Sequence, residues 1–204
     1  MTDAQTPWPP DITLEGRHVR LVPLSQDHAA DLAEAAADGQ LHRLWYTTVP
    51  APDEVGQEIT RRLGLRALGS MLPFAVVEQA SGRAVGMTTY MHIDAQSRRL
   101  EIGSTWYRAA VQRSPVNTEC KLLMLGHAFE TLSCIAVEFR THYLNRQSRA
   151  AIERLGAKLD GILRSHMVMA NGTLRDTAVY SITAPEWPTV KANLEWMLEA
   201  RRSG

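Results

Sequence analysis

Apolar and polar positions sort this chain into strands and helices before any chemistry is considered. Residues 17–24 mix β-branched and apolar positions and predict a first strand. Ser25 offers an N-cap, and residues 27–37, rich in Ala, Leu and Glu, predict a helix that Asp38-Gly39 ends. A second helix is expected from Pro52-Asp53-Glu54, acidic where the helix dipole favours acid, with Val55, Ile59 and Leu63 as one buried stripe. Three strand-like runs follow at 74–78, 84–92 and 99–107. Short polar breaks at 81–83 and 94–97 separate them, which predicts an antiparallel meander.

The spacing then turns helical. Residues 117–132 predict a long helix capped by Thr118, with Glu119 in its first turn. Leu122, Leu123, Leu125, Ala128, Phe129 and Leu132 form a stripe wide enough to imply burial on more than one side. A strand at 135–141, a helix at 146–155 stopped by Gly156 and a strand at 159–169 come next. Asn171-Gly172 predicts a hairpin into a strand at 175–183. Pro185 and Pro188 break the order before a last helix at 190–201, and Pro7, Pro9 and Pro10 around Trp8 make residues 1–10 an extended arm. The passage from 99 to 141 is a β-α-β unit, for which a right-handed crossover is expected. The expected fold is α+β: one mixed sheet flanked by helices with a C-terminal β-hairpin, in a single domain over 1–204 whose helical end spans 189–204.

Composition narrows the partners. A hydrophobic fraction of 45% in 204 residues suffices for a sizeable core. Lys plus Arg and Asp plus Glu are each 22, and nucleic-acid binding normally shows as a basic excess, so no nucleic acid is expected. The longest apolar run, 71–77, is broken by Pro73 and too short to span a bilayer. No charged-then-apolar leader opens the chain, so a cytoplasmic protein without a membrane partner is expected. Cys120 and Cys134 lie outside any CxxC or Cys/His cluster, which argues against a disulfide framework and against a structural metal.

Chemistry concentrates between the strand at 99–107 and the helix at 117. A strand running into a loop and a helix N-terminus gathers unpaired amides and the positive end of a dipole, which suits an anion. Gln112, Arg113, Ser114 and Thr118 add side-chain donors. Taken alone, the loop is equally well a solvated crossover, since many such loops bind nothing.

The run Gln112-Arg113-Ser114-Pro115-Val116-Asn117, followed by Thr118-Glu119-Cys120-Lys121-Leu122-Leu123, resembles the pyrophosphate-binding loop and helix of the GNAT N-acetyltransferases, most closely those of the RimJ/RimL-like branch. The likeness covers nearly the whole chain. Leu14-Glu15-Gly16-Arg17-His18-Val19-Arg20-Leu21 resembles that branch's opening strand, and Leu100-Glu101-Ile102-Gly103 with Trp106 its fourth. The segment from Asn145 to Ala157 is similar to its Asn-x-x-Ser helix, and Arg175-Asp176-Thr177-Ala178-Val179-Tyr180-Ser181 to its last strand. The resemblance implies that the fourth and fifth strands (β4 and β5 in the family's count) splay apart and that acetyl-coenzyme A, as co-substrate, lies in the opening. It implies that the backbone of Thr105, Trp106 and Tyr107 faces pantetheine. Gln112, Arg113, Ser114, Pro115, Val116, Asn117 and Thr118 would hold the diphosphate, and Asn145 with Ser148 the cofactor's lower arm. The usual loop has glycine where this chain has Pro115 and a small residue where it has Asn117. Proline lacks an N–H, so Ser114 and Asn117 are the expected substitute donors.

The implied reaction is acetyl transfer to a primary amine of a small molecule, an amino acid or a peptide N-terminus, without a covalent enzyme intermediate. A base must take the amine's proton, and Glu101 is the candidate, against a plain ion pair with Arg99 or Arg140. Tyr180 is a candidate to protonate the leaving thiolate, against a core tyrosine with a satisfied hydroxyl. Asn145 is both a candidate site residue and a helix cap. His166 and Asp176 are expected to face each other across the final hairpin. Cys120 is discounted as a nucleophile because its neighbours are apolar. The two N-terminal helices, the stretch 40–48 and the hairpin are expected on the acceptor side. The alternative, kept open by Pro115, is a coenzyme A-binding sensor of the same fold that transfers nothing. A homodimer is compatible with the resemblance, though the sequence itself does not argue for one.

Overall fold

The computed structural model describes residues 8–200; residues 1–7 of the expected arm and Arg201, the expected end of the last helix, lie outside the described residues. The strands are β1 (Leu14–Glu15), β2 (Val19–Pro23), β3 (Met71–Glu78), β4 (Ala84–Asp94), β5 (Arg99–Tyr107), β6 (Ala136–His142), β7 (Lys158–Val168) and β8 (Leu174–Thr183). The α-helices are α1 (Ala29–Ala37), α2 (Val55–Ala67), α3 (Val116–Gly126), α4 (Arg146–Arg154) and α5 (Trp187–Ala200). All eight strands join one sheet in the order β1-β2-β3-β4-β5-β6-β8-β7. The α+β expectation holds: β3, β4 and β5 form the predicted three-strand antiparallel meander, and β2 extends it by pairing antiparallel with β3.

The expected first strand, 17–24, begins at Val19 as β2, a turn sets it off from the short β1, and the cause of that turn lies a hundred residues away. The amides of Arg17, His18 and Val19 donate to the carboxylate of Glu119 at 2.9, 2.6 and 2.8 Å, which draws the chain into a turn between β1 and β2. Gly16 belongs to that turn: a Cβ there would come within 2.5 Å of the Glu119 carboxyl carbon.

Helix starts differ from the expectation in two places. Thr118 does not cap α3; it is fully buried in the first turn, and Pro115 occupies the N-cap. Proline suits that end because its fixed φ matches the helix and its missing N–H would have had no intrahelical acceptor. The long helix expected to Leu132 stops at Gly126 and continues as a π-helical turn, His127–Thr131. There the Tyr90 hydroxyl donates to the Met124 carbonyl at 2.6 Å, and an inserted contact of this kind is what widens a helical ladder. Helix α5 begins at Trp187, not at 190, since Pro188 sits within a first turn that needs no donor from it.

Two cores cover the sheet. On one face Leu24, Leu32, Ile59, Ala75, Met87 and Trp106 pack beneath α1 and α2. On the other, Leu100, Ile102, Val137, Phe139, Tyr180 and Ile182 pack beneath α3, α4 and α5.

The sheet is discontinuous at one seam. β5 and β6 run parallel and pair only as Arg99↔Ala136, Leu100↔Val137 and Glu101↔Glu138. Strand β6 pairs with β8 along its whole length, from Ala136 to His142. From Ile102 and Phe139 onward the two strands therefore part, and the opening expected between the fourth and fifth predicted strands is present between β5 and β6. A bulge in β5 opposite Thr88, with Ser104 at φ +48°, bends the strand at the same level.

Candidate active site

Past Glu101, the edge of β5 that faces β6 carries no strand pairing. Thr105, Trp106 and Tyr107 lie on this stretch. Thr105 Oγ1 is 2.7 Å from Thr88 Oγ1 and accepts from Lys121 Nζ at 3.1 Å. Trp106 packs beneath α1 and α2, and its indole N–H is buried without a partner among the described residues. Tyr107 packs on the α3 side, and its carbonyl accepts from Gln112 Nε2 at 3.2 Å.

The loop from β5 to α3 holds its shape largely with its own donors. Ser114 Oγ donates to the Val111 carbonyl at 2.6 Å and accepts from Val116 N–H at 3.2 Å. Its hydroxyl proton is thus committed inside the loop, and it does not stand in for the donor that Pro115 lacks. Arg113 is exposed, with φ +62°, in the left-handed region that non-glycine residues enter mainly at tight turns. The amides of Asn117 and Thr118 belong to the first turn of α3, which has no preceding turn to receive them. Thr118 Oγ1 is buried beside them with no partner among the described residues. Across the opening, Asn145 Oδ1 caps α4 by accepting from Ser148 N–H at 3.0 Å.

At the closed end of the opening sits Glu101, 4% exposed. Its Oε2 is 2.7 Å from His92 Nδ1 and 3.5 Å from Arg140 Nε. The bond to Glu101 holds the His92 pKa above its ordinary value. Arg99, the other expected partner, pairs with Glu138 instead, at 2.5 Å. Gly103 makes room for the carboxylate, since a Cβ there would lie 2.6 Å from Glu101 Oε1. The register Thr89↔Gly103 and the bond from Arg62 of α2 to Thr89 Oγ1 (2.7 Å) place Glu101 on the α2 face of the sheet. The stretch between α1 and α2 reaches the same face: Trp45 and Tyr46 lie 5.1 and 6.4 Å, ring to ring, from His142 at the end of β6.

Other candidates lie elsewhere. Tyr180 is buried on the opposite face, where its hydroxyl accepts from Arg149 Nε at 2.8 Å and donates to Glu153 Oε1 at 2.7 Å, fastening α4 to the sheet. Burial raises its pKa. His166 and Asp176 do not pair, because a register shift in β7 carries them apart. His166 Nδ1 meets Thr177 Oγ1 at 3.1 Å, while Asp176 takes Arg164 Nε at 2.6 Å and Ser165 N–H at 2.8 Å. Burial pushes the Cys120 thiol up to about 12, as an inert core cysteine requires. Among the described residues no group of three or more His, Cys, Asp or Glu is disposed to hold a metal, and no helix is long and apolar enough to cross a membrane.

Sequence reasoning missed His92, Lys121, His142 and Arg175. The meander turn, counted back residue by residue, already sets His92 near Glu101, so that contact had a signal. The others depend on which faces the strands and helices bury, and pattern alone does not give that.

A family model described as an acetyltransferase (GNAT) domain matches residues 18–158. Among solved structures, the chain is 34% identical to a GCN5-related N-acetyltransferase from Brucella melitensis, covering 92% of this chain and 85% of that one, with a TM-score of 0.80. An acetyltransferase candidate from T. thermophilus is 33% identical over 93% of this chain and 97% of its own, with a TM-score of 0.79. Mycobacterium smegmatis RimJ, solved in complex with CoA-disulfide, shares the fold at 22% identity, covering 88% of each chain with a TM-score of 0.74. No curated protein sequence matches the chain.

Proposed function

Because this chain belongs to the GNAT acetyltransferase family, we propose that it moves an acetyl group from acetyl-coenzyme A to a primary amine, as an enzyme of the RimJ/RimL-like branch. The acceptor is a small-molecule amine, an amino acid or a peptide N-terminus, and it attacks the thioester directly without a covalent enzyme intermediate. The observation that carries this is the parting of β5 from β6 beyond Glu101 and Glu138, with the N-terminus of α3 at its rim and a buried carboxylate at its closed end.

The residues present suit the co-substrate. The unpaired backbone edge at Thr105, Trp106 and Tyr107 has the donors and acceptors to take the amides of pantetheine as an added strand. The rim from Gln112 through Arg113, Ser114, Pro115, Val116 and Asn117 to Thr118 offers first-turn amides to a diphosphate, and Asn145 with Ser148 borders the other side. The buried Thr118 Oγ1, without a partner among the described residues, is a polar atom beside the rim that a guest would satisfy. When bound, the thioester supplies an acetyl group already activated toward an amine.

The protein's own work is to hold, to exclude water and to take a proton. Glu101 is the acceptor of the amine's proton, directly or through one water, with His92 and Arg140 fixing its orientation. Asn145 and Tyr180 serve this arrangement through α4, one capping it and the other tying it to β8. The test is thiol release from acetyl-coenzyme A over a panel of amines, with wild type and Glu101→Gln. The substitution is expected to lower kcat by about 10²-fold while leaving the KM for acetyl-coenzyme A within about twofold. Equal kcat and an unaltered pH–rate profile in the variant would remove Glu101 as the base.

A further inference from the structure

Glu101 is not the only charge on its face of the sheet. Glu138 is its cross-strand partner, and Arg140 and His142 follow on the same face at two-residue steps. His142 is paired with Thr177 of β8, and Arg175 lies two residues before Thr177, again on that face. One row of side chains thus runs from Glu101 across β6 to Arg175.

The arginines of this row differ in what they hold. Arg140 bonds Glu138 at 2.8 Å and lies beside Glu101. Arg175 makes no ion pair among the described residues; its Nε donates to Thr177 Oγ1 at 2.9 Å. It is half-buried, and the charge of Glu101 is near enough to act on it. A partly desolvated guanidinium without a carboxylate is an incomplete arrangement, and its planar fork fits one. Beside it, His142 is 4% exposed. Its Nδ1 accepts from Leu144 N–H at 3.1 Å, so the neutral ring carries its proton on Nε2, which is buried with no partner among the described residues. His142 pairs across the ladder with Thr177, two residues from Arg175, which sets the two in one neighbourhood; burial and then the Arg175 charge lower the histidine's pKa, and Trp45 and Tyr46 cover its ring.

We propose that the acceptor is an amine bearing a carboxylate: Arg175 and the Nε2–H of His142 hold the carboxylate while the amine is presented to Glu101. This rests on the acetyl-transfer activity proposed above and names its substrate class. The face offers an anion and a cation to a molecule that carries the opposite pair. Glu101 and Glu138 in the same row repel a doubly charged phosphate, so a single carboxylate is the better guest. It is supplied either by a free amino acid or by an acidic side chain near a peptide N-terminus.

Thiol release from acetyl-coenzyme A is compared for free amino acids, their carboxamides, peptide amides with aspartate in second place, and phosphoethanolamine. Wild type, Arg175→Gln and Arg175→Lys are used. Carboxylate-bearing acceptors are expected to exceed their amides by about tenfold or more in kcat/KM. Arg175→Gln removes that advantage, chiefly through KM, and leaves the amides within about twofold, while Arg175→Lys restores part of it. The free-acid and aspartyl-peptide arms tell the two sources apart. Equal rates for acids and amides, a phosphate preference, or an equal loss on both sets in Arg175→Gln would overturn the assignment. If no amine of any kind releases thiol, acetyl transfer itself fails, and calorimetric titration with the amino acids decides the site. Binding that Arg175→Gln abolishes upholds the carboxylate site; no binding to wild type refutes it.

Discussion

Among single residues, Lys121 sits far from its ordinary behaviour. Its Nζ is buried between β4 and β5, 3.1 Å from Thr105 Oγ1 and 3.4 Å from Thr88 Oγ1, and among the described residues it pairs with no carboxylate. Burial pulls its pKa down from 10.5 to about 8. Below pH 8 both the folded and the unfolded chain bind the proton, so the cost of burying the charge is present in full. Between 8 and 10.5 the folded chain gives the proton up first, and the cost is relieved as pH rises. Lys121→Met should therefore stabilise the protein at neutral pH by about 3 kcal/mol, with the gap closing toward high pH. Urea unfolding of both proteins from neutral to alkaline pH measures this, and a gap independent of pH would show that burial does not shift the lysine's titration. In the sequence Lys121 reads as one cation on an amphipathic helix, and such positions are usually solvated. Its burial follows from α3 being covered on both sides, by the sheet and by α5.

At the scale of elements, the tie between α3 and the start of the sheet is concentrated in one carboxylate. Glu119 receives three consecutive amides, those of Arg17, His18 and Val19, and is 6% exposed. Glu119→Gln removes the charge and turns one oxygen into a donor that meets N–H groups. The expected loss is about 3 kcal/mol, read by urea unfolding; a loss below about 0.5 kcal/mol would mean water replaces the carboxylate there. This latch also explains where element boundaries were legible. Starts and stops set by neighbours in sequence are found where expected: the α4 cap at Asn145, the stop at Gly156 and the hairpin at Asn171-Gly172. Those set by distant groups are not. The break between β1 and β2 answers to a residue on α3, and the missing His166–Asp176 contact to a bulge that no local spacing announces. For the same reason Thr118 reads as a cap from its neighbours but is carried inward by packing.

On the scale of the whole molecule, the sheet is two halves that meet along three residue pairs between β5 and β6. Local pattern gives the β-α-β unit around this seam; the opening itself was anticipated only through the family likeness, because strand divergence leaves no periodic signature. Packing of α3 holds the halves together at one level, yet beyond Glu101 and Glu138 their facing edges share no ladder. A ligand lying between those edges pairs with groups on both sides, so its binding should stiffen the seam as well as the rim. Acetyl-coenzyme A at about a hundred times its Kd is then expected to stabilise the protein by about 2.7 kcal/mol, and to slow amide exchange at 102–107 and 139–142 together with the first turn of α3. Asn117→Trp sets a bulky ring over the amides at that turn. It should weaken acetyl-coenzyme A binding by about tenfold or more and remove the added protection, while the ligand-free melting temperature stays within a few degrees. Protection that appears elsewhere, or binding that Asn117→Trp leaves intact, would put the ligand outside the seam and deprive Glu101 of a thioester to work beside.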